Sequence, residues 1–181
     1  MKQRLLTDLC AAIKLAACGD KLFKSGVLTS GDLILHPILF QEIKRWRPET
    51  KKTYEYEINI LQAVRAAANL RLTQKELDPQ LEIIEMSFSK SSLLSRADKE
   101  QLATALFHDD LSLVTNDKAL FDAAESLEVV AWRAEDIICE AIENESMTVE
   151  EVQKMIEHWA KNGDFTDGRC ADALRKLGIK V

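Results

Sequence analysis

The chain has 181 residues, 46% of them hydrophobic and 30% charged, with a net charge of −6. These figures describe one globular domain, or a domain with a tail, that needs no covalent staples, and they exclude a disordered chain. The negative charge excludes a nucleic-acid binder working by bulk charge alone, but not a nuclease whose clustered acids hold a metal.

Four cysteines, Cys10, Cys18, Cys139 and Cys170, form no C-x-x-C pair, so a structural zinc site is not expected. Cys10 and Cys18 lie in an apolar helical stretch and read as buried free thiols. No apolar run reaches the length of a membrane span, and the first residues lack the basic-then-apolar pattern of a signal peptide. The expectation is no membrane and a reducing cytoplasm.

In chain order, residues 4–7 read as a short buried strand. A helix from Leu9 to Cys18 follows, stopped at Gly19. Turns at Ser25-Gly26 and Ser30-Gly31 lead into a second strand, Asp32–His36. Pro37 starts a helix through Glu42 and Trp46. After the polar break 47–52, residues 54–70 have helical spacing. A polar connector, Leu72 to Asp78, ends at Pro79. Leu81–Met86 reads as a third strand and 87–92 as a loop. Ala97–His108 reads as a helix, Leu111–Thr115 as a fourth strand, Lys118–Leu127 as a helix and Val129–Trp132 as a fifth strand. Strands alternating with helices predict an α/β fold with a mainly parallel sheet. Beyond residue 133 only helices are predicted, at 134–144, 149–161 and 172–177, with a capping box at Thr148–Glu151. The expected organisation is a domain over 1–133 and a helical extension, 134–181, packed on it.

Four acids occupy matching places in this pattern. Asp8 and Asp117 follow apolar strands, Glu42 sits in the helix after the second strand, and Asp98 opens a helix. A parallel sheet gathers such points in one crevice. Converging carboxylates repel one another, and a hard divalent cation relieves the repulsion. Each acid also has a plainer explanation. Asp8, Asp98 and Asp117 suit helix N-caps, and Glu42 suits a solvated helix face. Glu100 rivals Asp98. His36 reads as a structural histidine rather than a catalytic one. No G-x-S-x-G or P-loop is present.

The stretches Leu5-Leu6-Thr7-Asp8-Leu9, Ile38-Leu39-Phe40-Gln41-Glu42-Ile43, Leu94 to Leu106 around Asp98, and Leu113-Val114-Thr115-Asn116-Asp117-Lys118 resemble, in that order, the acid-bearing elements of the PIN domain family of metal-dependent ribonucleases. The resemblance spans roughly residues 3–132. Extra length between Glu42 and the third strand, and the tail beyond 133, fall outside it. It implies a three-layer α/β/α domain and an Mg²⁺- or Mn²⁺-dependent endoribonuclease. It further implies Asp8, Asp98 and Asp117 as metal ligands and Glu42 acting on a metal-bound water. Thr115 and Asn116 would support them. The family also includes toxins of type II toxin–antitoxin pairs, in which a small antitoxin blocks the crevice and homodimers form. Arg45, Arg47, Lys51, Lys52, Arg96 and Lys99 flank these acids and are candidates for holding RNA phosphates. Trp46 and Tyr54 are candidates for stacking on bases. The alternatives are a catalytically inactive PIN-like module that binds RNA or protein, and a DNA-directed nuclease.

Overall fold

A computed structural model describes residues 3–17, 19–64, 70–88 and 93–162, together with Arg175 and Gly178. Its centre is a four-stranded parallel sheet in the order β2-β1-β3-β4, formed by β1 (Arg4–Thr7), β2 (Asp32–Leu35), β3 (Leu111–Val114) and β4 (Ala131–Trp132). Leu5 pairs with Leu33 and Ser112, and Thr7 pairs with Leu35 and Val114. Every residue of β3 is buried, as expected of a parallel strand covered on both faces.

Because side chains alternate across a strand, Leu5, Leu33 and Val114 face one layer and Leu6 and Leu113 the other. The first face packs on α1 (Leu9–Ala16), α8 (Ala134–Glu143) and α9 (Val149–Asn162), whose Leu15, Ile137, Ile138, Met155 and Trp159 share one core cluster with it. The second face packs on α5 (Gln74–Ser87), α6 (Arg96–Phe107) and α7 (Lys118–Ser126). The fold is therefore three-layer α/β/α. Two further helices, α2 (Ile38–Arg45) and α4 (Glu55–Ala63), add a third cluster beside α1 through Leu39, Ile43, Ile58 and Leu61, and the short α3 (Pro48–Thr53), which has no buried residue, joins them. No helix among the described residues is long and apolar enough to cross a membrane.

The expected third strand is overturned, and two expected breaks are helical: most of 47–52 lies in α3 and most of 72–78 in α5. Residues 81–86 form the second half of α5, not a third strand, so the sheet has four strands rather than five. Thr73 and Glu76 make a capping box that starts this helix, and the helix continues through Pro79 although proline removes one helical hydrogen bond. Only Ile84 of the run is fully buried, while Met86 is 81% exposed. A sheet covered on both faces would have buried the whole run. Short apolar runs do not separate strand from helix by periodicity. Residues 65–69 of the predicted 54–70 helix lie outside the described residues, as does 172–177 apart from Arg175.

Residues 134–162 carry a large share of the core. Ala134, Ile137, Ile138 and Ala141 of α8 are fully buried beside Leu5 and Leu15. The indole N–H of Trp159 donates to the Lys14 carbonyl at 3.0 Å, which ties α9 to α1.

Candidate active site

The chain leaves β1 for β2 on one side and returns to β3 on the other. The carboxyl ends of β1 and β3 are thus the topological switch point, where open parallel sheets form a crevice. Asp8 is the first residue beyond β1. Its backbone N–H still reaches across to the Val114 carbonyl of β3 at 2.9 Å. Its carboxylate is 3% exposed. Oδ1 accepts from the Ala11 N–H at 2.6 Å and Oδ2 accepts from the Thr115 hydroxyl.

Both hydrogen bonds favour the ionised carboxylate, yet they lose. Burial, with smaller contributions from the negative charges of Asp98 and Asp117, pushes the Asp8 carboxyl up to about 7.

Thr115 links the two strand ends. Its N–H continues the β3–β4 ladder to the Trp132 carbonyl at 2.9 Å, and its hydroxyl oxygen accepts from the Asp117 N–H at 3.0 Å. Asp117 is exposed and caps α7, with Oδ1 accepting from the Leu120 N–H at 2.9 Å. Asp98 closes the capping box of α6. Its Oδ2 accepts from the Ser95 N–H at 2.7 Å, and its own N–H donates to the Ser95 hydroxyl at 3.2 Å. Glu42 is half-buried on α2, which packs on α6. Burial first, then the Asp98 charge, raises its carboxyl, and Arg45 opposes them. The Asp98 charge is felt by both Asp8 and Glu42, and the Asp117 charge by Asp8.

The four acids therefore share one electrostatic neighbourhood, and three of them also serve as helix caps. Among the described hydrogen bonds, Oδ1 of Asp98 and Oδ2 of Asp117 accept none. No three His, Cys, Asp or Glu side chains among the described residues lie close enough to enclose an ion. The donors are nonetheless all carboxylate oxygens, the type that Mg²⁺ and Mn²⁺ prefer. A cation would also offset the charge penalty held at Asp8. On the chemistry of the donor set, the residues fit such an ion.

Glu100 stands apart from this group. It pairs with Arg96 at 2.9 Å and lines a small cavity of about 40 Å³ with His36, Gln41 and Arg71. His36 is buried; its Nδ1 accepts from the Ile38 N–H at 3.2 Å. Its Nε2 lies 3.3 Å from the Thr104 hydroxyl. That hydroxyl already donates to the Glu100 carbonyl, so Nε2 is the donor to it and the ring is neutral. Burial, with a smaller contribution from Arg71, pushes its pKa down to about 4.

Asn116 turns away from the acids. Its Nδ2 donates to both Glu135 oxygens at 2.7 and 2.9 Å, and its Oδ1 accepts from the Ala134 N–H at 2.9 Å, which fastens the start of α8. Of the basic candidates, Arg45, Arg47 and Lys52 are exposed, and Lys51 donates to the Lys44 carbonyl at 3.3 Å. Arg96 is paired with Glu100, and Lys99 with Glu85 at 3.4 Å.

The sequence did not reveal a groove of about 450 Å³ that opens beside Asp117 and runs between α1 and α3. Leu9, Cys10, Ile13, Lys14, Trp46, Thr50, Tyr54, Asn116, Asp117 and Lys118 line it. Trp46 and Tyr54 were the available signal, but the groove depends on how α4 packs on α1. The expected burial of Cys10 is also corrected. Position 10 lies on the α1 face that lines the groove, and the residue is exposed. Neighbouring protein still partly desolvates the thiol, and this, followed by the charges of Asp8, Asp117 and Asp98, pushes it up to about 12. Cys18 lies outside the described residues.

Compared with family models, curated proteins and solved structures, the chain finds no match.

Proposed function

We propose that this protein is an endoribonuclease of the PIN type that depends on a divalent cation. The observation that carries this reading is Asp8, a buried carboxylate held at the switch point beside two further acids whose charges raise its pKa. A structural N-cap has no need of that burden, because an asparagine caps equally well without charge.

On this reading Asp8, Asp98 and Asp117 hold Mg²⁺ or Mn²⁺, which when bound supplies a lowered pKa for water and neutralises charge on phosphate oxygens. Thr115 fixes one Asp8 oxygen and the Asp117 backbone, so it sets the distance between two of the proposed ligands. Glu42, with its raised carboxyl pKa, orients a water and takes up its proton. Arg45, Arg47 and Lys52 are exposed on the α2–α3 side and draw the RNA backbone towards the acids. A reducing cytoplasm is the proposed setting.

Cleavage of single-stranded RNA in Mn²⁺ tests this. The wild-type chain is expected to cleave and EDTA to stop it. Asp8→Asn is expected to lose at least about a hundredfold in rate, given the size of single-group contributions to such catalysis. No cleavage of RNA by the folded protein in Mn²⁺ or Mg²⁺ would reject the reading.

One observation favours the second reading, a catalytically inactive binding module. Asp8, Asp98 and Asp117 all cap helices, and no three acids enclose an ion among the described residues. Under that reading millimolar Mn²⁺ leaves the melting temperature unchanged; under the first it raises it.

A further inference from the structure

The groove beside Asp117 belongs to α1 and to the helices that lie outside the family-like pattern. Its wall is aromatic. The rings of Trp46 and Tyr54 stand 5.8 Å apart, tilted by 55°, and both pack one side on the third core cluster while lining the groove. Leu9 and Ile13 of α1 form an apolar surface facing them. Its volume of about 450 Å³ lies in the usual range for a small organic ligand, roughly 300–1,000 Å³.

The charges around the groove are unevenly distributed. Lys118 lines it next to Asp117 and is paired with Asp122, Lys14 lines it 3.9 Å from Glu135, and exposed Arg47 and Lys52 sit on the α3 side outside its lining. The acids of the crevice lie at one end. A groove that runs along an aromatic wall to those acids suits a nucleotide strand, whose base stacks on the rings while its phosphate reaches the crevice, and an apolar peptide gains nothing from the acidic end. The groove also adjoins the crevice, because Asp117 lines the groove and its backbone N–H donates to the Thr115 hydroxyl that is bonded to Asp8.

We propose that this groove is a nucleobase subsite, in which one unstacked base of a single strand lies against Trp46 and Tyr54 while the adjoining phosphate sits at the acids. The proposal rests on reading the acidic crevice as a phosphodiester site. It makes the enzyme selective for single strands, since a base within a duplex has no free face to offer.

The test measures binding without cleavage. Fluorescein-labelled hexauridylate and an abasic hexamer of the same backbone are titrated by anisotropy in EDTA at low salt. The wild-type chain is expected to bind the base-containing strand about tenfold tighter or more. Tyr54→Leu and Trp46→Leu, which keep apolar bulk, are expected to bring the two strands to near parity. Their melting temperatures check that they remain folded. Equal affinity in the wild-type chain, or a preference for bases that survives both substitutions, would overturn the proposal. So would displacement of neither strand by free uridine nucleotides alongside displacement by an apolar helical peptide. The two readings separate cleanly. Base-selective binding without RNA cleavage removes the nuclease but keeps the groove. Cleavage with no base preference does the reverse.

Discussion

The Thr115 hydroxyl donates to Oδ2 of Asp8 across the carboxyl ends of β3 and β1, while its oxygen accepts from the Asp117 backbone. One side chain thus joins the two acids that flank the switch point. The arrangement holds a carboxylate in a buried place where its ionised form is disfavoured, and this has measurable consequences.

The first concerns Asp8 and stability. Its folded pKa, about 7, lies above the ordinary value of 3.8. Protonation therefore favours the fold: the stabilising contribution is complete below about 3.8 and is lost as pH rises through 7. Asp8→Asn keeps the cap and removes the charge. In EDTA at pH 8 it should be more stable than wild type by roughly 1–4 kcal/mol, and at pH 3.5 it should show no such gain. Urea melts at both pH values check this. Mn²⁺ should narrow the difference by stabilising the wild-type chain alone.

His36 works in the opposite sense. Its folded pKa, about 4, lies below the ordinary 6.5. Its contribution is present above 6.5 and is lost as pH falls through 4, with a slope of at most about 1.4 kcal/mol per pH unit. Near pH 5.5 the Asp8 and His36 slopes oppose each other, and Glu42, whose carboxyl is also raised, adds to the Asp8 side. In the Asp8→Asn background the His36 limb should be exposed as a fall in stability from pH 6.5 to 4. Adding His36→Gln should flatten it. A flat profile in Asp8→Asn alone would contradict the assignment.

The third prediction concerns α8. Ile138 is fully buried in the cluster that also holds Leu5, Leu15 and Val114. Ile138→Ala should cost about 2–5 kcal/mol in chemical denaturation. A cost below about 1 kcal/mol would mean that the helices after residue 133 lie loosely on the sheet.

Much of this was legible in the sequence because local and global signals agreed. Asp8 and Asp117 follow short, largely apolar and buried strands, and parallel pairing of β1 with β3 brings their ends together. The element at 81–86 was misread because its signal is short. Leu81, Ile83 and Ile84 suit a strand locally, while the evidence for a helix lies upstream in the Thr73–Glu76 capping box. The N-cap and cation explanations of the acids had seemed to compete. In the structure the same Asp98 and Asp117 side chains cap with one oxygen and leave the other without a described hydrogen bond. Sequence alone gave no means of seeing that both uses fit. The groove was out of reach for a different reason: Trp46 and Tyr54 line it with Ile13 only once α4 packs on α1.

The central claim is that Asp8, Asp98 and Asp117 hold one divalent cation, with Glu42 reaching it through water. Anomalous diffraction from a crystal soaked in Mn²⁺ measures this directly. The account predicts a peak among those three carboxylates, with Glu42 at water-bridged distance, and its disappearance in Asp8→Asn. A crystal saturated with Mn²⁺ that shows no density in the crevice, or density only at acids outside it such as Glu100, would contradict it.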